Sequence, residues 1–282
     1  MTNASMPLVP QRVRPAAVAG TWYPGTAAAL TSAIDRLLAG PAQAAGVTGD
    51  LVALIAPHAG LKYSGPVAAY AYQLLGERVF DLAVLVGPSH FVGFEGVAVY
   101  RSGAFETPAG LVPVDEDAAV TLMGSTPIVR EHDAAHVREH SLEMQLPFLR
   151  RLAPDLPILP LVMGYQTDAT ARALADGLAR MLTGRRALLV ASSDLSHYHA
   201  ADVATRLDRV VLDHVTQFDA DALQAELEAN PDHACGGGPI VAVMRAARQL
   251  GATDAVTLHY ADSGDVSGDK SSVVGYMAAA IG

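Results

Sequence analysis

The chain has 282 residues, 51% of them hydrophobic and 17% charged, which is ample apolar surface for one or two folded domains and excludes global disorder. Nineteen Lys and Arg against 29 Asp and Glu leave a net charge of −10, and without a basic cluster the chain would repel a nucleic-acid backbone. Its apolar runs stop well short of the roughly 18 residues a membrane span needs, its N-terminus has no basic-then-apolar signal pattern, and its single cysteine, Cys235, has no internal disulfide partner; a cytoplasmic protein is expected.

Residues 1–14 carry Pro7 and Pro10 without periodicity and predict a mobile arm, with one α/β domain over 15–282. A helix is predicted at about 26–39, a strand at 51–56 (LVALIA), a helix at about 65–77 and a strand at 81–87 (DLAVLVG). The stretch FEGVAVYRSGAFETPAGLVPVD predicts a hairpin or edge-strand excursion. REHSLEMQLPFLRRL predicts a helix kinked at Pro147, with His140 and Glu143 on one face. Further strands are expected at 157–164 and 186–193, then helices near 202–229. Pro239 is expected at the first position of another helix and Gly251 at its end, before the closing strands DAVTLHYAD and SSVVGYMAAAI. Short apolar runs without polar alternation are what strands covered on both faces look like. The expected fold is therefore a three-layer α/β/α arrangement around a mostly parallel, mixed sheet.

Two histidines follow strands directly, in Pro57-His58-Ala59-Gly60 and Pro88-Ser89-His90, and a third strand runs into Ser193-Asp194-Leu195-Ser196-His197. The spacing of His58 and His90 fits one βαβ unit, which sets both imidazoles on the carboxyl edge of the sheet, where open α/β folds bind ligands. Three such groups at one edge suit a metal or an acid/base site. The spacing of His132, His136 and His140 imitates a metal stripe, but only His140 is kept as a candidate. Cys235 precedes Gly236, Gly237, Gly238 and Pro239, where close backbone approach and a helix start would favour a thiolate. Cys235 with two neutral imidazoles makes a ligand set for iron, copper or zinc. The same residues also allow a cysteine hydrolase, or a metal-free module holding a peptide or an anion at the helix start, with Gly236 and Gly237 near the ligand. Trp22 and Tyr23 in AGTWYP either pack in the core or line a substrate mouth.

The series AGTWYP, APHAG followed by YSG, GPSH, FETP, EHSLEMQLPFL, SSDLSH and CGGGP resembles the Memo family, known in bacteria and archaea as AmmeMemoRadiSam system protein B, from about Arg14 to the C-terminus. The resemblance implies a fold similar to the class III extradiol dioxygenases. It implies metal ligation by His58, His90 and Cys235, an acid/base position at His197 with Asp194 beside it, and a further pocket histidine at His140. Fe(II) is the metal it implies first, with copper or zinc as alternatives, for a redox enzyme acting on a small molecule or peptide. It also implies a radical SAM protein and an Amme-domain protein as pathway partners. Where the dioxygenases complete two histidines with a glutamate, this chain has Cys235. An oxidisable thiolate replaces a carboxylate, and ring cleavage does not carry over with the fold.

Overall fold

The computed structural model describes residues 12–40, 47 and 49–282. The arm expected over 1–14 falls outside the described residues as far as 11, and its last part is folded: Val13–Arg14 form strand β1. Arg14 is anchored because its side chain is buried against the Glu143 carboxylate. After α1 (Ala27–Leu38) come β2 (Ala53–Ala56), α2 (Leu61–Tyr72) and β3 (Leu82–Pro88). Helix α2 begins earlier than expected because the Leu61 amide already has an acceptor, the Trp22 carbonyl, at 2.8 Å.

The middle section divides between two sheets. Strand β4 (Val97–Val99) joins the main sheet antiparallel to β8 (Ile158–Met163), whereas β5 (Ala104–Thr107) and β6 (Gly110–Pro113) form a hairpin that β1 extends to three strands. Helix α3 (Glu116–Ser125), strand β7 (Val129–Glu131) and the short α4 (Ala134–Val137) follow. The expected kinked helix around Pro147 is instead a 3-10 turn, Glu143–Gln145, followed by α5 (Leu146–Leu152). Proline sits at the second position of α5, where its missing N–H has no helical partner to lose. His140 and Glu143 consequently do not share a helical face.

The second half runs through α6 (Asp168–Leu182), β9 (Ala187–Ser192) and β10 (His197–His199) to α7 (Ala201–Thr216) and α8 (Ala220–Ala229). It ends with α9 (Gly237–Gln249), β11 (Ala255–Asp262), α10 (Gly264–Ser267) and β12 (Val273–Ile281). Pro239 is the third residue of α9 rather than the first, while Gly251 takes the expected place after its end with φ +102°.

The main sheet runs β10-β12-β2-β9-β3-β8-β4-β7, with β11 paired to β12. Its centre, β2-β9-β3-β8, is parallel, and β12 and β4 attach antiparallel to either side. Side chains alternate between two cores: Ala53 and Ile55 of β2 pack with α3, α6, α8 and α9, and Leu54 and Ala56 with α1, α2 and α5. Both faces of the sheet are thus covered, giving three layers. No helix among the described residues is long and apolar enough to cross a membrane.

Candidate metal centre

The strand order places β9 between the two histidine strands. His58 leaves the end of β2 and His90 the end of β3, while β9 ends in Ser192, Ser193 and Asp194 and the start of α9 brings Cys235 across the same edge. One ligand atom from each of His58, His90 and Cys235 lies within 4.8 Å of the others, and His58 Nε2 is 3.3 Å from Cys235 Sγ.

Hydrogen bonds fix which nitrogen of each ring faces the crevice. The Ser192 hydroxyl donates its one proton to the Ser141 carbonyl at 2.7 Å and accepts from Gln145 Nε2 at 2.8 Å. At 2.9 Å from His58 Nδ1 it can therefore only accept, so Nδ1 carries the proton and the Nε2 lone pair faces Cys235. Gln145 is held in turn: its amide nitrogen donates to the Pro57 carbonyl at 3.1 Å and its oxygen accepts from the Tyr72 hydroxyl at 2.8 Å. His90 donates through Nδ1 to Glu139 Oε1 at 2.8 Å, and its backbone amide donates to Oε2 at 2.7 Å. The Nδ1 side of the His90 ring is thereby committed to Glu139. Buried acceptors that lock ring orientation in this way are what metal-binding histidines require.

Glu139 was not singled out in the sequence, although it stands next to His140. A second cluster, His90, Glu139 and His140, also has ligand atoms within 4.8 Å. The Glu139 oxygens are already satisfied by His90 Nδ1 and by the amides of His90, His140 and Ser141. Burial alone would raise its carboxyl, but these bonds outweigh it and hold the group down at about 2. Glu139 is an orienting anion for His90.

Burial, with His90 adjacent, pushes His58 down to about 3, and burial with both neighbouring histidines pushes His140 down to about 4. The His140 ring stacks on His90 at 4.4 Å, lies 5.6 Å from His58 and is covered by Trp22 at 4.3 Å. His197 Nδ1 donates to the Leu195 carbonyl at 2.7 Å, leaving its Nε2 free, and the ring is close enough to disfavour a charge on His58. Asp194 does not hydrogen-bond to His197. It accepts from the amides of His58 at 2.7 Å and Ala59 at 3.3 Å, and so shapes the His58 turn.

The glycines after Cys235 serve packing. The Gly236 amide donates to Ser193 Oγ at 2.9 Å and the Gly238 amide to Gln166 Oε1 at 2.7 Å, so the helix start offers an anion fewer donors than the sequence suggests. A Cβ on Gly236 would stand 2.4 Å from the Ser192 carbonyl oxygen, and one on Gly237 would meet the Leu227 side chain at 2.6 Å. These two residues let α9 close onto β9 and α8. Trp22 lies at the crevice, whereas Tyr23 is in the core, its hydroxyl donating to Glu143 at 2.6 Å.

Metal–nitrogen and metal–sulfur bonds of roughly 2.0–2.3 Å hold neighbouring ligand atoms at separations like that between His58 Nε2 and Cys235 Sγ. Two oriented imidazoles and a sulfur fit a soft or borderline transition ion. Burial, with Asp194 near, pushes the Cys235 thiol up, a shift that a cation at the sulfur would oppose.

The fold is similar to the crystal structure of an uncharacterised protein, JW3007, from Escherichia coli K12, with a TM-score of 0.51 and 19% identity over 80% of this chain and 99% of that one. Sequence relatives include MEMO1 family proteins of Methanothermobacter thermautotrophicus, 38% identical over 94% of this chain and 98% of its own length, and of Ignicoccus hospitalis, 39% identical over 94% and 97%. A third, from Methanosarcina mazei, is 39% identical over 94% of this chain and 98% of its own. Residues 14–280 match the family model described as Memo-like protein, and the chain belongs to that family.

Proposed function

We propose that the crevice is a redox metal centre in which His58, His90 and Cys235 hold iron(II) or copper, and that the protein is a metal-dependent oxidoreductase acting on a small molecule or peptide. The observation that carries this reading is the convergence of three donor atoms from three separate elements, with both histidine rings oriented by buried acceptors. A bound ion of this kind supplies electron transfer and a docking point for oxygen or substrate. The residues around it hold and move protons. His140 is a neutral imidazole without a side-chain hydrogen bond among the described residues, and His197 presents a free Nε2. Trp22 and Phe91, whose rings lie 4.3 and 5.9 Å from that of His140, limit the access of water. A cysteine-hydrolase reading is disfavoured, because a thiol raised by burial would face a base held down at about 3.

Elemental analysis of protein purified without oxygen or chelator tests the proposal. Near-stoichiometric iron or copper is expected in the parent chain and less than a tenth of it in His58→Ala and Cys235→Ser; full occupancy in either variant would remove that residue from the ligand set. Glu139→Gln is expected to keep all three donors but to lose about 10–100-fold in affinity for cobalt(II), read from its visible absorption bands, because the second hydrogen-bonding shell is weakened. An unchanged cobalt affinity would reduce Glu139 to a loop-forming residue.

A further inference from the structure

Trp22, whose ring lies against His140, also lines a cavity of about 500 Å³, a size that suits a small ligand. Trp22, Pro24, Leu37 and Leu61 give it an apolar wall. Its charged lining consists of Arg36 and Lys62, with no Asp or Glu among the described lining residues. Neither cation is ion-paired within the described residues. Arg36 donates to the Ser32 hydroxyl at 2.7 Å, and Lys62 lies 5.3 Å from the Tyr63 ring centre. In a chain with ten more acidic than basic residues, two unpaired cations at one apolar cavity are a local reversal of sign. Both cations are exposed, so they are accessible to an anion from solvent, while the neighbouring apolar wall is available to an attached apolar chain. Trp22 covers His140 as well as lining this cavity, so one indole forms a wall of both spaces.

We propose that this cavity binds the oxyanion end of an amphipathic ligand, a carboxylate or phosphate on an apolar body. Arg36 and Lys62 take the anion, and the apolar wall takes the adjoining chain. The site gives the redox substrate an anionic tail, and it rests on the redox reading only for the direction in which the ligand extends, past Trp22 toward His140.

Trp22 is the only tryptophan in the chain, so its emission reports on the cavity directly. Octyl phosphate, octanoate and uncharged octanol, each below its aggregation limit, are titrated against the full-length protein. The anions are expected to shift Trp22 emission saturably and to bind at least tenfold more tightly than octanol. The tighter of the two identifies the oxyanion. In the double variant Arg36→Gln, Lys62→Gln, anion affinity is expected to fall tenfold or more while octanol binding, melting temperature and metal content stay at parental values. Octanol binding as tightly as the anions, or anion affinity unchanged in the double variant, would overturn the proposal. Metal content measured on the same samples separates the two readings: a protein that never holds metal but binds octyl phosphate through Arg36 and Lys62 loses the redox function and keeps this site.

Discussion

Replacing Glu143 with alanine is expected to destabilise the protein by about 3–5 kcal/mol, a large share of the 5–15 kcal/mol typical of a folded domain. The Glu143 carboxylate is fully buried, and four groups from the amino-terminal segment converge on it. Arg14 forms an ion pair with Oε2, which also accepts from the Ala17 amide at 2.8 Å; Oε1 accepts from the Val18 amide at 3.0 Å and the Tyr23 hydroxyl at 2.6 Å. Without the carboxylate, the Arg14 guanidinium stays buried with only the His136 and Glu139 carbonyls as partners. An uncompensated buried charge is far worse than no charge, so the double variant Arg14→Leu, Glu143→Leu is expected to recover much of the loss. Urea denaturation followed by circular dichroism measures both. Trp22 belongs to the segment clasped here, and its emission should move to the red in Glu143→Ala before global unfolding. A parental urea midpoint in Glu143→Ala would mean that the ion pair does not hold this segment down.

Acidification of the metal-free protein is expected to unfold it well above the pH at which its carboxylates protonate. His136 is buried near Tyr100 and Phe105, with no side chain among the described residues hydrogen-bonded to its ring. Burial first, and the Arg14 charge second, hold it down at about 3. An unfolded histidine titrates near 6.5, so between these values the unfolded chain binds a proton that the native chain refuses. The stability is complete above about pH 6.5 and drains by about 1.4 kcal/mol per pH unit per such ring as pH falls, until the native ring itself protonates. His58 and His140 act in the same direction, down to about 3 and about 4. Asp194 and Asp208, whose carboxyls burial raises, offset part of the loss. Melting temperatures in chelator from pH 7.5 to 4.5 should fall steeply, and His136→Phe should flatten the curve by about one proton. A profile that is flat through this range would show that these rings charge freely in the native state.

The parallel core of the sheet was legible in the sequence because β2, β3, β8 and β9 are buried on both faces and appear as unbroken apolar runs. The strand-end position of His58 and His90 followed from the same pattern. Glu139, Ser192 and Gln145 were not legible, because each acts through a partner that only non-local strand pairing supplies; Ser192 meets His58 across 134 positions of chain. The hairpin region was only half resolved, since three-residue β4 and two-residue β1 are too short to show a period. A helical period misassigned His140 and Glu143 to one face, where a tighter 3-10 turn sends one to the crevice beside His58 and His90 and the other to Arg14. Trp22 and Tyr23 are neighbours with opposite fates, and nothing local separates them.

The position of β9 between β2 and β3 also governs the order in which the protein can be completed during synthesis. Both neighbours of β2 in the sheet, β9 and β12, are translated long after it, and Cys235 lies 177 positions beyond His58. A nascent chain that has only just exposed His58 and His90 has no strand to hold them side by side and no sulfur to complete the set. Such long-range closure makes for slow folding. The site therefore matures last, and a ribosome-bound fragment ending before residue 187 should carry no organised centre at all.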